Sequence, residues 1–296
     1  MKRRNKTKHS NKILTLLFII LLIIGVSFSI KFALFGEKIN KEELHSKNFY
    51  VYNITDDKVE LNINEKDRVP PASLTKIMTV WISLKNIEDL NEIAPVDVAS
   101  YLEMISRNSS MAGFFGKETT TFRDLLYGTM LASGGEAAHS LAINISGNKE
   151  DFVKLMNEEA NLLELSNTQF KNPDGLDEEG HYSSAEDLAK LLNHALQNGH
   201  FRAIFTKTKY HTTSTLDHPD GIEIDSTVLS KLPYYEQNGF KIIGGKSGTT
   251  IKAGHCWATL VEKNEKEYIC IVMGNPYDSH IPDGHILDTL KIMENI

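Results

Sequence analysis

Two kinds of hydrophobic periodicity divide this chain, and their order limits the fold more than any other feature. Stretches that read as strands stand at both ends of the globular part. Phe49-Tyr50-Val51-Tyr52-Asn53-Ile54, a turn at Thr55 to Lys58, and the alternating Val59-Glu60-Leu61-Asn62-Ile63 predict a hairpin. Far downstream, His255 to Val261 and Glu267 to Gly274 flank a charged turn, and Phe240 to Gly245 lead into Lys246. Between these ends the apolar residues recur at three- and four-residue spacing, as helices require. One helix is predicted from the Pro71 region to about Lys85. Others run from Thr121, with Asp124 three residues on, to Met130, over Glu136 to Ser146, and from an Asn148 cap to about Leu163. Another follows Ser183-Ser184 and stops at Asn198-Gly199. A closing helix covers Pro282 to Ile296, with Ile286, Leu287, Leu290 and Met293 on one side and Asp283 and Asp288 read as helix-end and surface residues. Asn86 to Ser133 is less regular, and residues 204–232 read as extended pieces joined by turns. This order predicts an α+β fold: an antiparallel sheet that joins the N- and C-terminal strands, with a mostly helical insert.

The first residues do not belong to that fold. Six cations, from Lys2 to Lys12, precede 18 uncharged and mostly apolar residues, Ile13 to Ile30. That length suffices to cross a bilayer, and the preceding positive charge places residues 1–12 in the cytoplasm and the rest of the chain outside it. A cleaved signal peptide is the rival reading, but its core is usually shorter and ends in a small-x-small site, which this run lacks. The expected organisation is therefore a basic tail at 1–12, a transmembrane anchor at 13–35, a short stalk at 36–47 and an extracytoplasmic domain at 48–296. Residues 1–37 carry seven of the 32 Lys and Arg and one of the 39 Asp and Glu, which leaves the remainder strongly acidic. An acidic body argues against nucleic acid as a partner, because a phosphate backbone calls for clustered cations.

Ser73 and Lys76 lie three residues apart, so a helix places them on one side. A serine hydroxyl needs a base, and a lysine serves if a desolvated pocket or neighbouring cations lower its pKa. Ser-x-x-Lys alone also fits an N-cap serine followed by a solvated lysine. Lys246-Ser247-Gly248 alone also fits a solvated turn. Cys256 and Cys270 have neither metal-ligand spacing nor a disulfide framework, and a hairpin centred near Asn264 sets Cys256 opposite about Met273 and Cys270 opposite about Thr259. They read as buried free thiols. The histidines His139, His181, His255, His280 and His285 have no metal-ligand spacing, so neither metal nor cofactor is expected.

Taken together, Ser73-x-x-Lys76, Ser133-Gly134-Gly135 and Lys246-Ser247-Gly248 resemble, in order and separation, the three motifs of the penicillin-binding proteins and serine β-lactamases. Pro71 to Thr79, Asp174-Gly175-Leu176-Asp177 and Ser183-Ser184-Ala185-x-Asp187 bring the resemblance closest to the low-molecular-weight D-alanyl-D-alanine carboxypeptidases, the S11 peptidases. It covers about residues 47–290. The resemblance implies a β-lactamase/D,D-transpeptidase-like fold and a peptidoglycan stem peptide ending in D-Ala-D-Ala as substrate. It makes Ser73 the nucleophile, Lys76 its general base and Ser133 a proton relay. Backbone N–H groups of Ser73 and Thr249 would hold the oxyanion, and Lys246 with a hydroxyl at Ser247 or Thr249 would face the terminal carboxylate. Gly248 would let substrate lie close to the backbone. β-Lactams would acylate Ser73 as well. Asp177 is either a support of the site and of deacylation or a loop cap.

The second motif departs from the family's usual Ser-x-Asn. Gly135 stands where the asparagine amide would hold the substrate, and Glu136, a carboxylate, cannot donate in its place. Members of the family often carry a further β-rich domain and a C-terminal anchor, for which this chain is too short, so its N-terminal span would tether it instead. The alternatives are a β-lactamase, a catalytically weak penicillin-binding protein, and the same carboxypeptidase chemistry in the service of vancomycin-type resistance. No dedicated deacylating glutamate of the class A kind is identifiable, which disfavours the first of these.

Overall fold

The computed structural model describes residues 39–296. The expected anchor therefore lies outside the described residues, and among those described no helix is long and apolar enough to cross a membrane. A short 3-10 turn, Lys41–Glu43, comes first. The body of the fold begins at His45. Residues 45–47, expected in the stalk, belong to it: the His45 and Ser46 N–H groups donate to Asp288, and Lys47 N–H to Met273 O. Asp288 is 1% exposed, not the surface residue its helical position suggested, because those two N–H groups satisfy it.

The predicted hairpin is β1 (Asn48–Asn53) and β2 (Lys58–Ile63). A 3-10 turn at Ala72–Thr75 runs directly into α1 (Lys76–Asn86), whose Ile77, Met78, Val80, Trp81 and Ile82 are buried. The irregular stretch holds β3 (Ile93–Pro95) and a helix that the sequence did not reveal, α2 (Val98–Ser106). It buries only Ser100 and Met104 and leaves Leu102 and Ile105 exposed, so no apolar stripe marks it. After β4 (Thr119–Thr121) comes α3 (Phe122–Met130), opened by the expected capping box between Thr121 and Asp124. Then follow α4 (Gly135–Ser146) and α5 (Lys149–Leu162), the latter capped by Asn148, and α6 (Ala185–Ala195), capped by Ser184. Asn198 does not end a helix but starts one, α7 (Gly199–Phe205). Its side chain accepts from the His200 and Phe201 N–H groups, the N-cap role that asparagine fills well. A small hairpin of β5 (Lys209–His211) and β6 (Glu223–Asp225) precedes the three long strands β7 (Lys241–Thr250), β8 (Gly254–Lys263) and β9 (Lys266–Asn275), and α8 (Gly284–Asn295) closes the chain.

The main sheet is antiparallel in the order β2-β1-β9-β8-β7, so the strands from the two ends of the chain do meet, at β1 against β9. Its two faces follow the alternation of the strands. Cys256, Ala258 and Leu260 of β8 and Ile269, Ile271 and Met273 of β9 join one continuous core with α1, α3, α4 and α6. The alternate residues face α8: the Trp257 ring is 5.1 Å from His285. In α8, Leu287 is 40% exposed and Ile292, not it, completes the buried side. Both cysteines are buried free thiols, and burial pushes each up to about 12. Thr259 pairs with Cys270 as the hairpin predicted, whereas Cys256 falls in a bulge between the His255–Asn275 and Trp257–Val272 pairs. Among the described residues β7 has a single strand neighbour, so its other edge pairs with no strand there.

Candidate active site

Ser73 lies in the first turn of a helix, where N–H groups lack helical partners. Ala72 before it has φ +50°, a left-handed conformation that costs a residue with a side chain about a kcal/mol or more. The kink is held from two sides. A Cβ on Gly175 (φ +85°) would lie 1.9 Å from the Ala72 carbonyl oxygen, so only glycine lets the 172–181 loop close on the turn. A Cβ on Gly248 would lie 2.9 Å from Ser73 N and 3.2 Å from Leu74 N. Gly248 thus brings β7 up against the nucleophile turn itself, a closer role than leaving room for a substrate.

The Lys76 amine is buried and donates to Ser73 Oγ at 3.1 Å and to the Asp174 carbonyl at 2.6 Å. Burial pulls its pKa down to about 8, against the opposing charges of Asp174 and Glu136. Lys246, also fully buried, donates to Ser133 Oγ at 2.8 Å and to the Ser247 carbonyl at 2.7 Å. Burial, then the charge of Lys76, holds it well below the usual lysine value. Ser133 also adopts a left-handed conformation, φ +61°. Its hydroxyl is met by Lys246, the partner the structure gives it.

The remaining expected residues divide. Ser247 Oγ is 2.7 Å from Thr227 Oγ1, and Thr249, exposed on β7, shares a 3.1 Å hydrogen bond between its Oγ1 and His255 Nδ1. Asp177 is a clamp: it accepts from Thr250 Oγ1 at 2.7 Å and from Lys252 N–H at 3.2 Å, and so ties the 172–181 loop to the β7–β8 turn. Gly135 is buried under the 108–112 loop with its N–H donated to Ser110 O. A Cβ there would lie 2.6 Å from Ser109 Oγ and 2.8 Å from Met104 Sδ, so the loop occupies the space an asparagine side chain needs. Glu136 is turned to the 108–112 loop. Fully buried, it accepts from Ala112 and Gly113 N–H at 2.6 and 3.0 Å and anchors the same loop.

Three further polar residues complete the setting, of which Asp174 stands in a stretch that carries the resemblance but had no role assigned. Asp174 and His139, each 1% exposed, meet at 3.0 Å. His181 accepts from Lys171 N–H through Nδ1, so Nε2 carries the proton and donates to Thr75 Oγ1 at 2.9 Å. Burial lowers its pKa to about 4, which keeps it neutral. No spacing rule points to any of the three. Their partners are 35 and 106 residues away in the chain.

This arrangement can generate a nucleophile: a serine at a helix start, a partly deprotonated amine at its oxygen, a hydroxyl held by a second lysine, and an open strand edge alongside. The family model described as Peptidase_S11, D-alanyl-D-alanine carboxypeptidase, matches residues 36–277. The D-alanyl-D-alanine carboxypeptidase DacF of Bacillus subtilis is 33% identical over 218 residues, 73% of this chain and 54% of that protein. The D-alanyl-D-alanine carboxypeptidase of Streptomyces sp. K15 is 31% identical over 235 residues, 75% of this chain and 77% of that one. The crystal structure of the Streptomyces K15 DD-transpeptidase superposes with a TM-score of 0.77 at 26% identity and covers 87% of this chain and 98% of that one. The chain spans about half the length of the Bacillus relative.

Proposed function

The chain belongs to the S11 peptidases, the D-alanyl-D-alanine carboxypeptidase family, and from that premise we propose that it removes the terminal D-alanine from peptidoglycan stem peptides through an acyl-enzyme on Ser73. Ser73 Oγ attacks the carbonyl between the two D-alanines and its proton passes to Lys76 Nζ. The C–N bond then breaks. Ser133, whose oxygen already accepts from Lys246, relays the proton: it gives its own to the departing amine and takes the one held by Lys76, and water then hydrolyses the acyl-enzyme to release the carboxylate and restore Ser73. The Ser73 and Thr249 N–H groups receive the oxyanion; the close fit of Gly248 on the nucleophile turn supports that pairing. The substrate lies along the free edge of β7 as an added strand, with its carboxylate towards Thr249 and Ser247. β-Lactams, which imitate the D-Ala-D-Ala end, acylate the same serine. The apolar run from Ile13 to Ile30 tethers the domain to the outer face of the cell membrane.

The observation that carries this reading is the 3.1 Å contact between a buried, pKa-lowered lysine and the serine of a strained helix start. The test is intact mass of the detergent-purified full chain after incubation with benzylpenicillin and, separately, with a stem pentapeptide ending in D-Ala-D-Ala. A penicillin adduct that Ser73→Ala abolishes, together with release of one D-alanine, is expected. An adduct that decays within minutes would move the reading to penicillin hydrolysis. Neither adduct nor release would overturn it.

A further inference from the structure

We propose that Asp174 and His139 form a buried positioning pair behind the base: Asp174 holds the Lys76 amine with its main-chain carbonyl and tunes its proton affinity with its carboxylate, and His139 fixes that carboxylate in place. The inference rests on the reading of Lys76 as the base that activates Ser73.

The geometry comes first. A neutral amine has two N–H donors and one lone pair. With one N–H spent on the Asp174 carbonyl at 2.6 Å, the lone pair can turn to the Ser73 hydroxyl at 3.1 Å. The carbonyl can do this only if its peptide does not move, and the loop is built for that. Thr79 Oγ1 donates to the Pro173 carbonyl at 2.6 Å, and Gly175 N–H donates to Asn172 Oδ1 at 2.7 Å. Gly175 itself is wedged against Ala72. The Asp174 side chain completes the set: Oδ1 accepts from Leu176 N–H at 3.0 Å and Oδ2 from His139 Nε2–H at 3.0 Å. His139 Nδ1 is buried without a hydrogen-bond partner among the described residues, which suits a bare lone pair and so an imidazole with its proton on Nε2.

The electrostatics follow. A buried carboxylate persists as an anion only where donors satisfy it. Burial works to raise the Asp174 pKa, and the hydrogen bond from His139, with the charge of Lys76 and the Leu176 N–H, outweighs it and holds the carboxyl far below its usual range. That anion opposes the burial that strips the proton from Lys76. The charged groups facing Lys76 are Asp174 from the loop, Glu136 from α4 and Lys246 from β7. His139 of α4 touches Asp174 and is felt by Glu103 of α2, while His181 abuts Thr75. Asp174 comes first of the two carboxylates that oppose burial at Lys76, Glu136 second, and only Asp174 also touches the amine, through its main-chain carbonyl.

Asp174→Asn keeps the shape, the main-chain carbonyl and an acceptor for His139, and removes the charge. In the full chain, the acid limb of the rate of penicillin acylation should move down by about one pH unit, with the plateau rate changed less than about threefold. A limb within about 0.2 unit of the wild type would overturn the proposal. Should this variant not fold, His139→Gln and His139→Leu decide. Glutamine restores the donor to Asp174 and should acylate within about threefold of the wild type, whereas leucine leaves the carboxylate unsatisfied and should lose about tenfold or more. Equal rates in these two, both with cooperative melting, would overturn it. A wild type that takes no adduct at all overturns the reading of Lys76 along with this one, so the two failures are distinct.

Discussion

The two walls of the cleft are held by different means. On the nucleophile wall, the Ala72–Lys76 turn and the 172–181 loop are joined by buried polar contacts: Lys76 to Asp174, Thr79 to Pro173, and His181 to Thr75. A glycine there fits with no room for a methyl group. On the facing wall, β7 offers a free edge, an exposed Thr249 and a half-buried Ser247. The first wall fixes Ser73 and Lys76 and buries the Lys76 amine. The second leaves main-chain and hydroxyl groups open to whatever arrives. Close ties between them include Gly248 against Ser73 and Asp177 against Thr250. On the proposed mechanism, chemistry sits where packing is over-determined, and recognition where it is not.

The comparison breaks most visibly at Lys76. Lys76→Met should lower the rate of penicillin acylation by about three orders of magnitude, in the range for loss of a general base. It should not lower the melting temperature, because a buried amine is replaced by a side chain that belongs in a core. Stopped-flow acylation and thermal melting read the two effects separately. A rate within tenfold of the wild type would remove Lys76 from the chemistry.

The two glycines sharpen the same contrast at a smaller scale. Gly175→Ala puts a methyl group into the Ala72 carbonyl and a side chain at φ +85°, so it should cost on the order of 3 kcal/mol in urea unfolding. Gly248→Ala meets Ser73 N at 2.9 Å from an edge strand that can retreat. It should leave unfolding nearly unchanged and slow acylation about a hundredfold, as expected where an oxyanion donor is displaced. If Gly248→Ala proved the more destabilising of the two, the assignment of rigid and yielding walls would be reversed.

Much of the open wall was legible in the sequence and much of the closed wall was not. Lys246-Ser247-Gly248-Thr249 and Ser73-x-x-Lys76 are local patterns, and the strand and helix around them follow from periodicity. The sheet was legible too, because strands at both ends of a chain can be buried only by meeting. The departure at Gly135 was visible, but its cause, Ser109 and Met104 in the space beside it, lies in a stretch with no regular pattern. Asp174, His139, His181 and Glu136 are single polar residues whose partners come from distant segments, and burial of that kind leaves no period to read. Asn198 misled for the reason its chemistry is useful: asparagine followed by glycine suits the end of a helix, and here the asparagine side chain opens the next one.

The walls should also separate by pH. Lys76 acts as a base only when neutral, and burial has brought its pKa down to about 8. The neutral fraction therefore rises as pH rises through that value. Acylation should increase about tenfold per unit well below pH 8, more slowly near it, and level off above. On the open wall Ser247 and Thr249 carry hydroxyls, burial lowers the pKa of His255, which touches Thr249, below its ordinary 6.5, and the buried Lys246 amine is turned to Ser133 rather than to the exposed edge. From pH 7 to 9, then, the acylation rate constant should carry the pH dependence while the dissociation constant for penicillin stays within about twofold. Pre-steady-state acylation at several penicillin concentrations gives both numbers at each pH. A dissociation constant that moved with pH while the rate constant stayed flat would place the titrating group on the β7 side, and Lys246, the other buried amine, would then be the group to test.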